Sequence, residues 1–280
     1  MVKKNNIYHR PNNKPIIWDA YFKSDNTKKP LVIFCHGYKG FKDWGAWDLV
    51  AKAFEEQHLF FVKFNFSHNG GTAENPIDFP DLDAFAENNY SKELADLDEL
   101  LNLILSDNFQ YKNEINSNNI SLIGHSRGGG ISIIKASEDQ RITKLITWAG
   151  VSDYASRFGS VEDINEWREK GVKFVLNGRT KQKMPHKYQF YEDFQEHHNR
   201  LDIKTAATKI TIPFLIIHAQ GDSSVQFKEA ENLHTWNPES ILYKIEGSDH
   251  VFDASHPWEK NELPKTLKLV VNKSIQFIIP

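Results

Sequence analysis

The serine at position 126 lies in a pattern that suits nucleophilic chemistry. The stretch Ile120-Ser-Leu-Ile-Gly-His-Ser-Arg-Gly-Gly-Gly130 contains an apolar run, the pattern Gly-x-Ser-x-Gly and the beginning of a helix. Between a strand and a helix, this pattern forces the serine into a tight, strained turn with its hydroxyl group at the end of the strand. Side chains at Gly124 and Gly128 would collide with the neighbouring strand and helix, so both positions must be small. We therefore predict Ser126 as a nucleophile.

A serine hydroxyl attacks well only when a base takes its proton and an acid orients that base. On an open α/β sheet the partners follow in the order serine, acid, histidine, each just beyond a strand. The run from Phe214 supplies a strand, a glycine turn and Asp222, and the run from Ile241 supplies the next strand, another glycine turn and His250. The order predicts His250 as the base and Asp222 as its acid. Two rivals for the acid are close in sequence to the histidine: Asp249 and Asp253.

Such chemistry also needs two N–H groups for the negative charge that develops on the attacked carbonyl oxygen. One candidate is the backbone N–H of Arg127, the residue after the serine. The other is the N–H of Tyr38, because His36-Gly37 follows an apolar run and lets the backbone turn inward. We predict these two groups as an oxyanion hole.

Apolar runs and amphipathic stretches alternate along the chain and would position these residues. Most runs lack polar alternation, which is typical of strands buried on both faces of a parallel sheet. The runs are Ile16 to Phe22, Leu31 to Cys35, Leu59 to Phe66, Ile120 to Ile123, Lys144 to Trp148, Phe214 to His218 and Ile241 to Ile245. A helical stripe is formed by Leu94, Leu97, Leu101 and Ile104. The alternation predicts an α/β fold in which helices flank a mostly parallel sheet and ligands bind at the strand ends.

One long stretch, residues 152–209, interrupts this alternation with charged and aromatic residues and without a convincing strand. Helical spacing is visible around residues 161–175 and 188–198. A connection of this length is typical of an inserted lid. We predict a core of residues 1–151 and 210–280 with a helical cap of residues 152–209 between late core strands. The aromatic residues expected to line the substrate pocket are Trp44, Trp148, Trp167, Tyr188 and Phe190.

The composition excludes several classes of protein. The chain has 280 residues, is 40% hydrophobic and carries a net charge of −3, so it lacks the basic excess of a nucleic-acid-binding protein. Its single cysteine, Cys35, rules out an internal disulfide, and no apolar stretch reaches the roughly 20 residues of a membrane span. No secretion signal is evident. We expect a cytoplasmic protein without nucleic-acid or membrane partners, and either a monomer or a homodimer.

The combined motifs resemble the α/β-hydrolase superfamily. The Gly-His-Ser-Arg-Gly-Gly form and the cap resemble serine-aminopeptidase-like and cinnamoyl (feruloyl) esterase-like hydrolases, as does the stretch Asn65-Phe-Ser-His-Asn-Gly70. The resemblance implies the α/β-hydrolase fold and the roles already predicted from the residues. This sequence differs from many relatives at Gln226, where they have a proline shortly after the acid.

Three functions remain open from the sequence. The leading hypothesis is a serine hydrolase of carboxylesterase type, which cleaves esters of small to medium acyl groups, aromatic ones included, through an acyl-enzyme without a metal or cofactor. A serine aminopeptidase or dipeptidyl-peptidase-like hydrolase would need carboxylates for the substrate ammonium, and the cap offers Glu162, Asp163, Glu166, Glu192 and Asp193. The third is a non-catalytic binding module on the same fold, for which a complete triad is unusual.

Overall fold

A computed structural model describes residues 1–11 and 13–279 of the chain. Its strands are β1 Val2–Arg10, β2 Asn13–Tyr21, β3 Lys29–Cys35, β4 Phe60–Asn65, β5 Ile115–His125, β6 Lys144–Trp148, β7 Val172–Leu176, β8 Lys183–Lys187, β9 Phe214–Ala219 and β10 Ile241–Ile245. Its helices are α1 Trp47–Glu56, α2 Leu82–Ala86, α3 Tyr90–Ile104, α4 Arg127–Glu138, α5 Val161–Lys170, α6 Gln189–Glu196, α7 Ile203–Lys209, α8 Phe227–Trp236 and α9 Lys265–Ile278.

Eight of the strands form one sheet in the order β1-β2-β4-β3-β5-β6-β9-β10. From β4 to β10 all neighbouring strands are parallel, whereas β1 and β2 are antiparallel to their neighbours. The predicted mostly parallel sheet is thus confirmed. Since β5, β9 and β10 run in the same direction, the loops after them meet at one edge of the sheet. These are the loops that carry Ser126, Asp222 and His250.

Helices cover both faces of the sheet and bury its apolar side chains. Alternate residues of β3 point to opposite sides, with Leu31 and Ile33 in one cluster and Val32 and Phe34 in the other. Helices α3, α4 and α8 pack on the first face and α1 and α9 on the second. The predicted stripe on α3 is fully buried in the first cluster. Burial on both faces explains why the strands appear in the sequence as continuous apolar runs.

The edge strand β1 was not predicted from the sequence. Its residues are mostly exposed, and its segment Val-Lys-Lys-Asn-Asn-Ile-Tyr-His-Arg has little apolar alternation. It joins the sheet through backbone hydrogen bonds to β2, including the pairing of Ile7 with Ile17. An edge strand has little apolar surface to bury, so hydrophobic patterning does not reveal it.

The inserted segment is not purely helical, which corrects the prediction for residues 161–175. Helix α5 ends at Lys170 because Gly171 adopts a left-handed conformation with φ of 70°, a common way for a helix to stop. The chain then forms the antiparallel hairpin β7–β8 before α6 begins. Helix α7 packs against α4 and α8 of the core, so the last part of the segment belongs structurally with the core.

Of the helices in the described residues, none combines the length and the apolar character that crossing a membrane would require.

Candidate active site

Ser126 occupies a sharp turn between β5 and α4. Its φ of 56° and ψ of −121° are strained for a residue with a side chain, as expected when a strand turns directly into a helix. The turn is held by hydrogen bonds from Ser126 N to Trp148 O at 3.0 Å and from Gly129 N to Ser126 O at 2.9 Å. The hydroxyl therefore lies at the carboxyl end of β5, next to the first turn of α4.

Two glycines let the chain pack closely around this turn. A methyl group on Gly124 would lie 2.6 Å from Gly129 Cα, and one on Gly128 would lie 2.6 Å from His36 O. Both distances are shorter than any ordinary contact of a side-chain carbon, and the obstructing atoms belong to the backbone. The geometry explains why the pattern Gly-x-Ser-x-Gly has small residues at both positions.

We expect Gly124→Ala to lower the free energy of unfolding by about 3 kcal/mol, because the added methyl group meets backbone that cannot move aside. Urea denaturation would measure the change. Gly178→Ala is the matched control, since a methyl group there meets nothing within 4 Å, and its stability should stay within about 0.5 kcal/mol of wild type. Equal stabilities of the two variants would contradict the close packing of the turn.

Asp222 and His250 are joined by a hydrogen bond beside Ser126. His250 Nδ1 donates a hydrogen bond to Asp222 Oδ2 at 2.7 Å. The other carboxylate oxygen of Asp222 accepts from the backbone N–H groups of Ser224 and Val225 at 2.8 and 2.9 Å. With Nδ1 donating, Nε2 of the neutral imidazole is free to accept a proton.

The Asp222 carboxylate is held in its charged form. Burial opposes ionisation, but hydrogen bonds from His218 and His250 and from the backbone of Val225 outweigh it and keep the pKa of Asp222 well below its usual value. His218 Nε2 lies 3.4 Å from Asp222 Oδ2 and donates to Val225 O at 2.8 Å. Asp222 is thus suited to orient a histidine and to stabilise its charged form.

Ser126 and His250 line the same cavity. Within residues 1–11 and 13–279, no hydrogen bond joins the Ser126 hydroxyl to His250. Catalytic hydrogen bonds are often long without substrate and shorten in the complex. The structure therefore brings together the three residues singled out from the sequence.

The backbone N–H groups of Tyr38 and Arg127 are both available to a ligand. Neither donates a hydrogen bond to any part of the chain that the structure describes. The loop that carries Tyr38 passes directly beside the serine, since a methyl group on Gly37 would lie 2.8 Å from Ser126 Cβ. His36 Nε2 ties this loop to the end of β4 by accepting from Phe66 N at 3.3 Å. Two free donors at the predicted positions support an oxyanion hole.

His125 was not singled out from the sequence but contacts the candidate base. Its Nε2 donates to His250 O at 2.9 Å, and the two imidazole centres are 4.8 Å apart. Burial lowers the pKa of His125 to about 3, so the ring is neutral. The contact anchors the loop after β10, which explains a histidine before the nucleophile.

The cavity above Ser126 has a volume of about 480 Å³. Its apolar walls combine residues of the inserted segment 152–209 with residues outside it: Tyr90, Val151, Phe158, Trp167, Phe190 and Val225. Polar groups project into it from Tyr38, Lys39, Arg127, Arg157, Lys173 and His186. The size is in the range of small-molecule sites.

Only two of the five aromatic residues expected in the pocket line it, namely Trp167 and Phe190. Trp148 is fully buried beneath the sheet face, where Nε1 donates to Ser274 Oγ at 3.0 Å. Trp44 packs on Trp47 and His256, outside the cavity. Tyr188 packs behind Trp167 and accepts from Arg168 Nε at 2.9 Å. These three expectations are corrected, because sequence position does not tell which side a large ring faces.

The carboxylates that an aminopeptidase would need do not line the cavity. Asp163 caps α5 through Ser160, and Glu166 pairs with Lys170 at the surface. Glu192 is exposed, and Asp193 Oδ2 accepts a hydrogen bond from Ser91 N at 3.4 Å. Glu162 is also exposed.

One cluster of acids in the described residues has the spacing of a metal site. Ligand oxygens of Asp19, Asp43 and Asp48 lie within 4.8 Å of one another. Lysines occupy this cluster, however: Lys63 Nζ is 2.9, 2.5 and 2.6 Å from the three carboxylates, and Lys42 Nζ is 2.9 Å from Asp19. Lys4 adds a third cation, with its Nζ 2.5 Å from Asp48. Three lysines therefore balance the three carboxylates in this partly buried ion-pair network.

Solved structures share this architecture along almost the whole chain. Est1E from Butyrivibrio proteoclasticus is 16% identical, with 99% of this chain and 98% of that chain covered and a TM-score of 0.69. The structure of ferulic acid bound to Est1E is 19% identical, with 94% and 95% covered and a TM-score of 0.65. The α/β hydrolase GrgF from Penicillium sp. sh18 is 13% identical, with 99% and 98% covered and a TM-score of 0.70. At these identities the likeness establishes the α/β-hydrolase fold.

A comparison with curated protein sequences finds no match. The model of the phospholipase/carboxylesterase family matches residues 20–160, half of the chain. The matched range contains the turn around Ser126 and the loop of Tyr38, and it ends before Asp222 and His250. On this match and the shared fold, the chain belongs to the phospholipase/carboxylesterase family of the α/β hydrolases.

Proposed function

We propose that this protein hydrolyses carboxylic esters of small to medium acyl groups through an acyl-enzyme on Ser126. The observation that carries the proposal is the 2.7 Å hydrogen bond from His250 to Asp222 beside a cavity that His250 and the strained Ser126 both line. Family membership supports ester hydrolysis in general. The arrangement of Ser126, His250 and Asp222 supports a serine mechanism.

In the first half of the reaction, Ser126 Oγ attacks the ester carbonyl carbon while His250 Nε2 takes the hydroxyl proton. The carbonyl oxygen becomes negative and accepts hydrogen bonds from the N–H groups of Tyr38 and Arg127. His250 then gives its proton to the leaving alcohol as the carbon–oxygen bond breaks. Asp222 stays ionised throughout and stabilises the imidazolium, as its lowered pKa favours.

In the second half, water attacks the acyl-enzyme while His250 Nε2 takes one of its protons. The oxyanion forms again in the same position, and the Ser126–acyl bond breaks as His250 returns the proton to Ser126 Oγ. The products are a carboxylic acid and the free enzyme. Every bond and proton is accounted for by the serine, the histidine and water, so the mechanism calls for no metal or organic cofactor.

The polarity of the cavity favours an ester over an aminoacyl substrate. The side chains that line it include lysine and arginine but, among the described residues, neither aspartate nor glutamate. A free α-ammonium group would meet like charges there, which is unfavourable in a partly desolvated site. The aromatic walls suit an apolar or aromatic acyl group, and Est1E, which has been solved with ferulic acid bound, shares the fold.

We expect the purified protein to hydrolyse p-nitrophenyl acetate and butyrate and to leave aminoacyl p-nitroanilides intact. Release of p-nitrophenol and p-nitroaniline would be followed by absorbance. Labelling with a fluorophosphonate, followed by peptide mass spectrometry, should place the adduct on Ser126. Turnover of the anilides without the esters, or a label on another residue, would overturn the proposal.

A further inference from the structure

Two lysines that line the cavity have no ion-pair partner among the residues that the structure describes. Four cationic side chains line the cavity: Lys39, Arg127, Arg157 and Lys173. The two arginines have carboxylate partners: Arg127 pairs with Glu93 at 3.3 Å and Arg157 with Glu229 at 2.5 Å. Within the two described ranges, neither lysine forms an ion pair. The cavity that Ser126 lines therefore also contains two ammonium groups without an ion-pair partner.

Lys39 immediately follows Tyr38, whose N–H is a proposed oxyanion donor. Lys39 Nζ lies 5.0 Å from the centre of the Tyr38 ring, and Arg127 Cζ lies 4.4 Å from the same centre. Lys39 also has a φ of 53°, a left-handed conformation in which glycine would be less strained. Backbone strain in a residue with a side chain often marks a functional position.

Lys173 approaches from the cap, on strand β7. Its Nζ lies 3.7 Å from the centre of the Trp167 ring and donates to Phe158 O at 3.4 Å. The charge of Asp163 favours the charged form of Lys173. The carboxylate of Asp163, however, accepts a hydrogen bond from the backbone N–H of Ser160 at the start of α5 and forms no ion pair with Lys173. The ammonium group is thus held by aromatic faces and one carbonyl oxygen, which leaves donors for a ligand.

Both ammonium groups are held in an unfavourable environment. Burial lowers the pKa of Lys39, and the nearby charge of Arg127 lowers it further. Burial likewise lowers the pKa of Lys173, with Asp163 opposing the shift. A bound anion would supply the missing opposite charge to both groups.

We propose that the ester cleaved at this site carries a carboxylate group, which Lys39 and Lys173 bind between the core and the cap. The inference rests on the proposed ester hydrolysis and narrows its substrate class. One lysine comes from the loop beside the oxyanion hole and the other from the cap, so the carboxylate bridges the two parts of the molecule. The aromatic walls bind the uncharged remainder of the substrate.

The first test compares esters that differ in charge at the same chain length. We expect kcat/KM for p-nitrophenyl hydrogen adipate to exceed that for p-nitrophenyl hexanoate at least about tenfold, and an ω-trimethylammonio ester to be the poorest. A second series, p-acetoxybenzoate against p-tolyl acetate, places the charge on the alcohol instead. A preference in either series that weakens with added salt supports the proposal and identifies the part of the substrate that is charged.

Variants test whether these two lysines cause the preference. Lys39→Gln and Lys173→Gln should each reduce the ratio of anionic to neutral kcat/KM by roughly 10-fold, mainly through KM. Lys183→Gln is the matched control, because Lys183 is an exposed lysine on the neighbouring strand that does not line the cavity. Its ratio should equal that of wild type. Ratios that stay constant in both cavity variants would overturn the proposal.

Binding to Ser126→Ala separates this inference from the proposed reaction. Calorimetry should show tighter binding of the adipate ester than of the hexanoate ester, and the difference should disappear in Ser126→Ala with Lys39→Gln and Lys173→Gln. Equal affinities would overturn the inference even where wild type hydrolyses both esters through Ser126. Selective binding without any turnover would instead overturn the proposed hydrolysis and leave the anion site standing.

Discussion

Ser126→Ala should lower kcat for p-nitrophenyl acetate by roughly 10⁶-fold, because removal of the nucleophile of a working triad costs about this much. The backbone should keep its shape, since the turn is held by main-chain hydrogen bonds and by the close packing of Gly124 and Gly128 rather than by the hydroxyl group. The steady-state rate of p-nitrophenol release would measure activity, and circular dichroism would show that the variant is folded. The activity that remains should come from the oxyanion donors and from binding alone.

Ser223→Ala is the matched control for the first prediction. Ser223 is exposed in the loop that carries Asp222, and the change removes the same hydroxyl group without touching the turn at position 126. We expect wild-type kinetics. If Ser126→Ala were folded and hydrolysed esters at nearly the wild-type rate, the assignment of the nucleophile would be wrong.

Asp222→Asn should lower kcat by about 10⁴-fold with little loss of fold. The carboxylate accepts from His250 Nδ1, which keeps the proton on that nitrogen and leaves Nε2 free to act as the base. An amide can donate to Nδ1 instead and favour the inactive tautomer, and it carries no charge to stabilise the imidazolium. Steady-state kinetics at neutral pH would measure the loss.

Two nearby aspartates provide controls for this second prediction. Asp249 Oδ1 accepts from the backbone N–H groups of Val251 and Asp253, and Asp253 bonds to Ser248 and Thr266. Neither side chain is hydrogen-bonded to His250, so Asp249→Asn and Asp253→Asn should keep kcat within a few-fold of wild type. A larger loss in either of them than in Asp222→Asn would move the role of the acid to that residue.

The Asp222 carboxylate also links stability to pH. Its pKa in the folded protein lies below the value of about 3.9 in an unfolded chain, so ionisation stabilises the fold above that pH. This contribution is lost as pH falls through the folded pKa. The difference in free energy of unfolding between wild type and Asp222→Asn should therefore shrink as the pH is lowered below about 4.

Elements with strong local signals were predictable from the sequence. Strands β3, β4, β5 and β9 are continuous apolar runs because both faces of the sheet are covered, and α3 carries a regular apolar stripe. Strand β1 and the hairpin β7–β8 escaped prediction because they bury little apolar surface. In the inserted segment, Gly171 ends at Lys170 a helix that was predicted to extend to about residue 175.

The residues that line the cavity could be predicted only in part from the sequence. Trp167 and Phe190 line it, whereas Trp44, Trp148 and Tyr188 do not, although all five are large aromatic residues. Nothing in the sequence distinguishes the lysines of the cavity from other lysines. They lack ion-pair partners because Glu93 and Glu229 pair with the two arginines instead, and only the folded structure shows this. Both outcomes depend on contacts between residues that are far apart in the sequence, such as Trp148 with Ser274 and Arg157 with Glu229.

The amino-acid sequence by itself determined the kind of sheet, the turn at Ser126 and the order of Ser126, Asp222 and His250. Each depends on local features: apolar runs, small residues around a strained serine, and polar residues directly after strands. Only the tertiary structure decided which side chains line the cavity and which of its cations have an ion-pair partner among the described residues. These properties depend on residues far apart in the sequence, such as Lys39 and Lys173, which line one cavity only in the folded chain.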